Sequence, residues 1–229
     1  MTKTVPIASP YGSVRLDAFM ADDLSVVNSA RVSFDKHSSE LDAAGVGLIN
    51  FLMRERHGTP FEHNSFRFHV KCPIFVAREW FRHRIGSFNE FSARYSEMPP
   101  EFYVPTSKNV RTQKGKPGAY VFEPITDETL RESARKAISL NIEQSIRTYE
   151  MLIQGGVAKE LARSVLPVAM YTQFFWTVNA RSLMNFLSLR TADAAQLEIR
   201  EYADDIERLF EDKMPITYAA WIANGKMTP

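Results

Sequence analysis

The segment 127–154 has the clearest hydrophobic pattern in this chain of 229 residues. Its apolar residues return every three or four positions from Leu130 to Ile153, as they do on the buried face of an amphipathic helix. Thr126 is placed to cap the start of this helix, and Gly155 to end it. The same spacing predicts further helices over residues 23–34, 41–56, 73–84, 159–165, 180–189, 194–213 and 215–223.

Two other segments have the pattern of β-strands. Residues 63–71 alternate between apolar residues such as Phe66 and polar ones, and residues 171–178 are rich in aromatic and β-branched side chains. Helices outnumber strands, and single helices do not regularly separate the strands. We therefore expect an α+β fold, a single domain over residues 1–229 with long helices packed on a small, mainly antiparallel sheet. Residues 107–122 lack apolar periodicity and predict a mobile loop.

The composition narrows the possible functions. The 45% hydrophobic and 24% charged residues suffice for one sizeable core. A net charge of +1 gives no overall field that would attract nucleic acid or an anionic membrane, so any anion site must be local. Cys72 is the single cysteine, and no apolar N-terminal run or membrane-length apolar segment is present. We expect a cytoplasmic protein with no nucleic-acid or membrane partner.

The segment 82–95 concentrates basic side chains in this nearly neutral protein. Arg82, His83, Arg84 and Arg94 are accompanied by serine and asparagine residues that add neutral hydrogen-bond donors. Guanidinium groups bind phosphate through paired, charge-assisted hydrogen bonds, which suggests an anion site. Cations at a helix C-terminus are also favoured by about 0.3–1 kcal/mol, so a solvated helix end explains the spacing equally well.

Several candidate residues have simpler interpretations than chemistry. Two histidines and Glu62 gather in residues 57–63, but their spacing matches no metal-ligand pattern, so we expect no metal. Cys72 is expected to pack in the core. Ser92 would need an adjacent general base to act as a nucleophile, and Glu90 is most simply an ion-pair partner.

Two functions without catalysis also use these residues. A nucleotide-binding module would need the same arginines, and an RNA-binding protein would add Phe88, Phe91 and Tyr95 as platforms for base stacking. The net charge near zero argues against RNA binding.

In the last third of the chain, Arg181 and Asn185 lie four apart on one helical face.

A family resemblance adds to this picture. The pattern Arg-His-Arg-x₂-Ser-x-Asn-x₂-Ser-x-Arg-Tyr over residues 82–95 resembles the signature of the flavin-dependent thymidylate synthases. The resemblance continues through residues 30–34, 59–63, 165–167 and 174–187. It implies reductive methylation of dUMP to dTMP, with FAD as cofactor, NADPH as reductant and methylenetetrahydrofolate as one-carbon donor. It also implies a homotetramer with active sites at subunit interfaces.

The resemblance also assigns the site residues. Arg190 is expected to be catalytic, because a fixed cation near the uracil ring would stabilise negative charge that develops there. The hydride chemistry then belongs to the flavin, so Cys72 has no catalytic role. The expected flavin contacts are Ser33, His57, Thr59, Arg82, His83, Arg84, Glu90, Asn179, Arg181 and Asn185. The expected dUMP contacts are Glu79, Arg82, Ser92, Arg94, Arg163 and Arg190.

Three features depart from the family pattern. Glu79 stands where relatives often have Gln, and its carboxylate would repel the nucleotide phosphate unless an arginine intervenes or the carboxyl is protonated. Ala194 stands where many relatives have His, so that contact is lost. Residues 107–122 are also longer than in compact relatives.

Overall fold

The structure is a computed structural model that describes residues 4–6 and 12–229. Within these residues the chain forms nine α-helices and seven β-strands, which confirms the α+β class. The chain divides into two compact units. Unit 1 contains Met1–Lys71, Arg78–Asn89 and Gln173–Pro229, and unit 2 contains Cys72–Ala77 and Glu90–Thr172. That both form one domain stays a prediction, and the expectation about the N-terminal run falls largely on residues outside the described part.

The elements have the following bounds. The strands are β1 (Thr4–Pro6), β2 (Ser13–Met20), β3 (Ser65–Pro73), β4 (Ser87–Glu90), β5 (Arg111–Lys114), β6 (Val121–Pro124) and β7 (Tyr171–Asn179). The helices are α1 (Asp23–Arg31), α2 (Ala43–Arg54), α3 (Thr59–Glu62), α4 (Ile74–Trp80), α5 (Glu128–Gln154), α6 (Lys159–Ala162), α7 (Ala180–Arg190), α8 (Leu197–Lys213) and α9 (Pro215–Ala223). Short 3₁₀-helices span Val32–Phe34, Ser107–Asn109 and Arg163–Val165.

A five-stranded sheet has the strand order β1-β2-β3-β7-β4, and β2 pairs antiparallel with both β1 and β3. The alternation predicted for residues 63–71 is confirmed, because Phe66 and Phe68 are fully buried while Arg67 lies on the opposite face. The hydrophobic pattern does not predict β1, β2 or β4. In β2 only Val14 and Leu16 are buried, in alternation with Ser13, Arg15 and Asp17, before a register shift between Leu16 and Ala18.

Most predicted helices are confirmed with shorter bounds. Asp22 caps α1 by accepting a hydrogen bond from the Ser25 amide at 2.6 Å. The helix predicted to reach Arg84 ends at Trp80, because the chain turns there and residues 87–90 join the sheet as β4. This turn begins the basic segment and positions it at the end of α4.

The long helix α5 matches its predicted bounds but not its predicted burial. Asp127, rather than Thr126, caps it by accepting from the Leu130 amide at 3.2 Å. Ile142 is buried as expected, but 52% of Leu130 is exposed and so is 37% of Ile138. The prediction that these two face inward is therefore wrong for the described chain.

The segment predicted as a loop, residues 107–122, contains regular structure. It includes the 3₁₀-helix Ser107–Asn109 and the antiparallel hairpin of β5 and β6. Lys114 of one strand forms an ion pair of 2.6 Å with Glu123 of the other. The hairpin lacks a buried face, which explains why the hydrophobic pattern does not predict it. Its mobility stays a prediction.

The core of unit 1 lies between the sheet and the helices α7 and α8. The rings of Trp80, Trp176 and Phe186 meet at centroid distances of 4.8–5.3 Å. Phe210 of α8 contacts Phe66 of the sheet at 6.0 Å. These contacts fix α7 against the sheet. Among the described helices, none combines the length and hydrophobicity needed to cross a bilayer.

Candidate active site

A cavity of about 920 Å³ lies along α7 in unit 1. Ligand pockets in proteins commonly measure about 300–1,000 Å³, so this one has room for a large ligand. Its lining comes from the end of α3, from the turn after α4, from α7 and from the last residues of the chain. The lining residues are Glu62, Arg82, His83, Arg84, Ile85, Asn179, Arg181, Ser182, Asn185, Leu189, Arg190, Thr228 and Pro229.

Helix α7 supplies one wall of the cavity along its whole length. Asn179 caps its start by accepting a hydrogen bond from the Ser182 amide at 2.8 Å. Arg181, Asn185 and Leu189 follow at spacings of four and line the same cavity, which confirms that Arg181 and Asn185 share a helical face. The positive end of the helix dipole therefore lies beside the cavity.

The turn after α4 approaches β7 closely at Gly86. A Cβ atom on this glycine would lie 2.8 Å from Nε1 of Trp176, closer than real Cβ contacts, and 3.0 Å from the carbonyl oxygen of Thr177. Only a residue without a side chain fits this approach. Gly86 thus allows Arg82 and Arg84 to reach the cavity from a segment held against the sheet.

Two groups fix the guanidinium of Arg181. Its Nη1 lies 2.5 Å from Oε1 of Glu62, and its Nε donates a hydrogen bond of 2.7 Å to the carbonyl oxygen of Pro229. A Cβ atom on Gly58 would lie 2.7 Å from Cζ of this arginine. The absence of a side chain at Gly58 therefore provides the space that Arg181 occupies.

Arg190 is fixed at the other end of α7. Its Nε donates a hydrogen bond of 2.9 Å to Nε2 of His83, and its Nη1 pairs with Oε1 of Glu79. Burial, and then the cation of Arg190, lower the pKa of His83 to about 4. His83 is therefore neutral near pH 7, which leaves Nε2 as the hydrogen-bond acceptor and places the ring proton on Nδ1.

The cavity has a strong excess of positive charge. Four guanidiniums line it, and Glu62 has the single carboxylate side chain among the described lining residues. The basic cluster at the end of α4 is therefore not only a solvated helix end, since Arg82 and Arg84 share the cavity with arginines of α7. Such a site suits a ligand with several phosphate oxygens.

Unit 2 brings together three of the expected nucleotide contacts. Nε of Arg94 lies 3.0 Å from Oε2 of Glu160, and Nε of Arg163 donates to the Glu160 carbonyl oxygen at 3.3 Å. The Ser92 hydroxyl oxygen accepts from the Arg94 amide at 3.4 Å. The guanidinium of Arg94 also lies 5.8 Å from the centroid of the Tyr95 ring. Ser92, Arg94 and Arg163 therefore form one polar cluster around Glu160.

Six of the ten expected flavin contacts line the cavity of unit 1, and four do not. Ser33 lies in the 3₁₀-helix Val32–Phe34, and the ring of His57 contacts Phe51 edge-on at 5.7 Å. Thr59 begins α3. Glu90 lies in unit 2, where it accepts a hydrogen bond of 2.7 Å from the Thr172 hydroxyl. The six that line it are Arg82, His83, Arg84, Asn179, Arg181 and Asn185.

Other lining residues were not among the expected contacts. Helical spacing from Asn185 identifies Ser182 and Leu189, because both lie on its face of α7. Glu62 lies in a segment with family resemblance, but only the structure shows that it pairs with Arg181. No local pattern identifies Thr228 and Pro229, since folding alone brings them to α7.

The remaining candidates have structural roles. Phe88 packs against Phe81 at 4.9 Å and against Trp176 at 6.2 Å, so its ring is not free to stack on a base. Cys72 is fully buried, and burial raises the pKa of its thiol well above the usual value. The described residues contain no group of three or more His, Cys, Asp and Glu side chains arranged to hold a metal ion.

Comparison with a known family and with curated proteins gives consistent similarities. Residues 15–216 match the family described as thymidylate synthase complementing protein. A flavin-dependent thymidylate synthase from Thermosipho africanus is 50% identical over 92% of this chain and 91% of the relative. One from Tropheryma whipplei is 45% identical over 95% of both chains.

Solved structures have the same fold. The crystal structure of a UMP/dUMP methylase, PolB, from Streptomyces cacaoi bound with 5-Br UMP aligns with a TM-score of 0.87. It is 40% identical and covers 95% of this chain and 96% of that chain. The same methylase bound with 5-Br dUMP also aligns with a TM-score of 0.87, at 39% identity.

Proposed function

This chain belongs to the thymidylate synthase complementing protein family, and from that membership we propose that it converts dUMP to dTMP as an FAD-dependent methyltransferase. We further propose NADPH as the reductant and methylenetetrahydrofolate as the one-carbon donor. The observation that carries the proposal is the cavity along α7, where four arginines face a space of about 920 Å³.

The residues of this cavity fit a flavin dinucleotide. Its pyrophosphate is a dianion, and Arg82, Arg84 and Arg181 provide matching guanidiniums. Arg181 lies in the first turn of α7, where the helix dipole also favours an anion. Asn185 adds a neutral polar side chain one turn further along the same helix. Bound FAD would supply the hydride chemistry that the side chains of this protein do not provide.

Two groups of arginines are candidates for binding the nucleotide phosphate. Arg82 and Arg190 lie in the cavity of unit 1, and Arg94 and Arg163 lie in the cluster of unit 2. Guanidiniums of both sets suit the dianionic phosphate of dUMP. We assign the catalytic role to Arg190, whose fixed cation would stabilise negative charge on the uracil ring.

We also propose a homotetramer with active sites at subunit interfaces. Exposed apolar side chains on α5 support an assembly, since 52% of Leu130, 51% of Leu140 and 61% of Met151 are exposed. Light scattering of the purified protein tests the subunit number.

The single thiol, Cys72, is buried and unpaired, which is consistent with our proposal of a cytoplasmic location.

The proposed reaction can be tested on the purified protein. We expect a visible absorption spectrum of bound flavin and formation of dTMP from dUMP when methylenetetrahydrofolate and NADPH are both present. Omission of either co-substrate should stop the reaction. A protein that carries no flavin and forms no dTMP with added FAD would refute the proposal.

Arg190→Ala tests the assigned catalytic role. We expect loss of dTMP formation while the flavin stays bound, because Arg181 and the arginines after α4 remain in place. Arg208→Ala is the matched control, since the Arg208 side chain is 70% exposed on α8 and pairs with Asp205 one turn earlier on the same helix. Retention of most activity in Arg190→Ala would reject the role given to Arg190.

A further inference from the structure

The guanidinium of Arg190 is held on two edges by side chains from one turn of the chain. Glu79 lies in the last turn of α4 and His83 three residues beyond its end. The carboxylate of Glu79 pairs with Nη1, and Nε2 of His83 accepts from Nε at 2.9 Å. Only 18% of the Arg190 side chain and 25% of the Glu79 side chain are exposed. Both partners are thus largely shielded from water, which strengthens the pair relative to a surface one.

The third nitrogen of this guanidinium has a different environment. Nη2 of Arg190 makes no hydrogen bond to any residue in the described part of the chain, and Arg190 lines the large cavity. Glu79 itself is not among the described residues that line this cavity. The geometry therefore leaves one edge of the guanidinium for a ligand and places Glu79 behind it.

We propose that Glu79 is a positioning residue that acts through Arg190 and does not contact the nucleotide. This inference rests on the proposed function, because it concerns how Arg190 is presented to a pyrimidine nucleotide. A carboxylate in direct contact with the dUMP phosphate would repel it. Behind Arg190, the same carboxylate satisfies the guanidinium and restrains its orientation.

The charge balance of this group has a consequence for binding. Arg190 and Glu79 compensate one another, and the hydrogen bond that His83 accepts requires a neutral ring. Removal of Glu79 leaves Arg190 as an uncompensated cation that is free to change orientation. Affinity for the dianionic nucleotide should then stay the same or increase, whereas turnover should fall because the cation is no longer held in position.

The orientation of Arg190 against His83 and Glu79 can be measured without an activity assay. We would follow the arginine Nε–H signals by ¹⁵N NMR of the flavin-loaded protein, with Arg190→Ala identifying the signal of Arg190. In the wild type this proton should be protected from exchange with water by its bond to His83. Glu79→Gln should keep the protection, since its amide oxygen still accepts from Nη1. Glu79→Ala should increase the exchange rate by about tenfold or more.

Kinetics and binding then separate the two roles. For Glu79→Ala we expect kcat to fall by about tenfold or more, with a dissociation constant for dUMP that is unchanged or lower. Glu79→Gln should recover most of the turnover, because it restores the hydrogen bond. A direct ligand would give the opposite result, with dUMP affinity weakened by about tenfold in Glu79→Ala.

A double variant provides the final comparison. In the Arg190→Ala background, Glu79 would be a carboxylate without its partner, so Glu79→Gln should leave dUMP affinity unchanged or raise it. A loss of affinity in that background would overturn the inference. A wild-type protein that forms no dTMP would refute the proposed function, while the exchange of the Arg190 proton would still decide the positioning contact.

Discussion

Gly58→Ala is expected to displace Arg181 without altering any charge in the protein. Gly58 has a φ of −74° and a ψ of −30°, a conformation that alanine adopts without strain. The new Cβ atom would lie 2.7 Å from Cζ and 2.8 Å from Cδ of Arg181, distances that real Cβ atoms do not show. The side chain of Arg181 therefore has to leave its present position.

The expected cost to stability is small. Arg181 loses its ion pair with Glu62 and its bond to the Pro229 carbonyl, but 45% and 39% of the paired side chains are exposed. Exposed pairs contribute about 0.2–1 kcal/mol, and replacing glycine at a permitted conformation contributes about 0.4–1 kcal/mol in the opposite direction. The free energy of unfolding should therefore change by less than about 1 kcal/mol.

The expected effect on flavin binding is larger. A hydrogen bond from a charged donor contributes about 1.5–3 kcal/mol, so loss of the Arg181 contact should weaken FAD binding by roughly 10- to 100-fold. Titration of the apoprotein with FAD, followed by the change in flavin fluorescence, measures this affinity. Arg181→Ala gives the maximum loss of FAD affinity that this side chain can cause. The double variant Gly58→Ala/Arg181→Ala should bind FAD no more weakly than Arg181→Ala alone.

Gly47→Ala is the matched control for this experiment. A Cβ atom on Gly47 would meet no atom within 4 Å, and the residue lies in α2. This substitution should raise the free energy of unfolding by up to about 1 kcal/mol and leave FAD affinity unchanged. If Gly58→Ala binds FAD as tightly as the wild type, the position inferred for Arg181 in the flavin site is wrong.

Three further outcomes follow from the geometry. The pKa of His83 is about 4, against 6.5 in the unfolded chain, so the unfolded state alone binds this proton between these values. The stability of the wild type relative to His83→Gln should thus fall as the pH is lowered from 6.5 to 4 in urea unfolding; a pH-independent difference would contradict this. Asp23→Ala should cost about 2–4 kcal/mol in the same assay, more than Asp22→Ala, because Asp23 accepts three hydrogen bonds from Ile216 and Thr217. Ser92→Ala should keep measurable turnover, and complete loss with intact dUMP binding would indicate a nucleophile.

Periodic segments of the sequence predicted their elements well. The alternation around Phe66 and Phe68 located β3 and its buried face, and spacings of four placed Arg181 and Asn185 on the same side of α7. These predictions succeed because one buried face imposes a period on the chain. In β2 the buried part of the alternation is limited to Val14 and Leu16, and this strand was not identified from the sequence.

The sequence alone did not predict contacts between residues that are far apart along the chain. The pair of Glu79 with Arg190 joins residues 111 positions apart, and the bond of Arg181 to Pro229 joins residues 48 apart. Spacing within one element carries no information about either contact. From the sequence we expected that the Glu79 carboxylate would need a neighbouring arginine or a bound proton to avoid repelling the nucleotide phosphate. Only the fold identifies Arg190 as that arginine.

Helix α7 also fixes the separation between two functions of the proposed site. Arg181 and Arg190 are nine residues apart on this continuous helix, a rise of about 13–14 Å that backbone hydrogen bonds set. Substitution of side chains between them leaves this distance unchanged. Insertion of one residue would instead rotate Arg190 by about 100° relative to Arg181 and turn it away from His83. We therefore expect a substitution between the two arginines to preserve their spacing, whereas a change in the length of this helix would not.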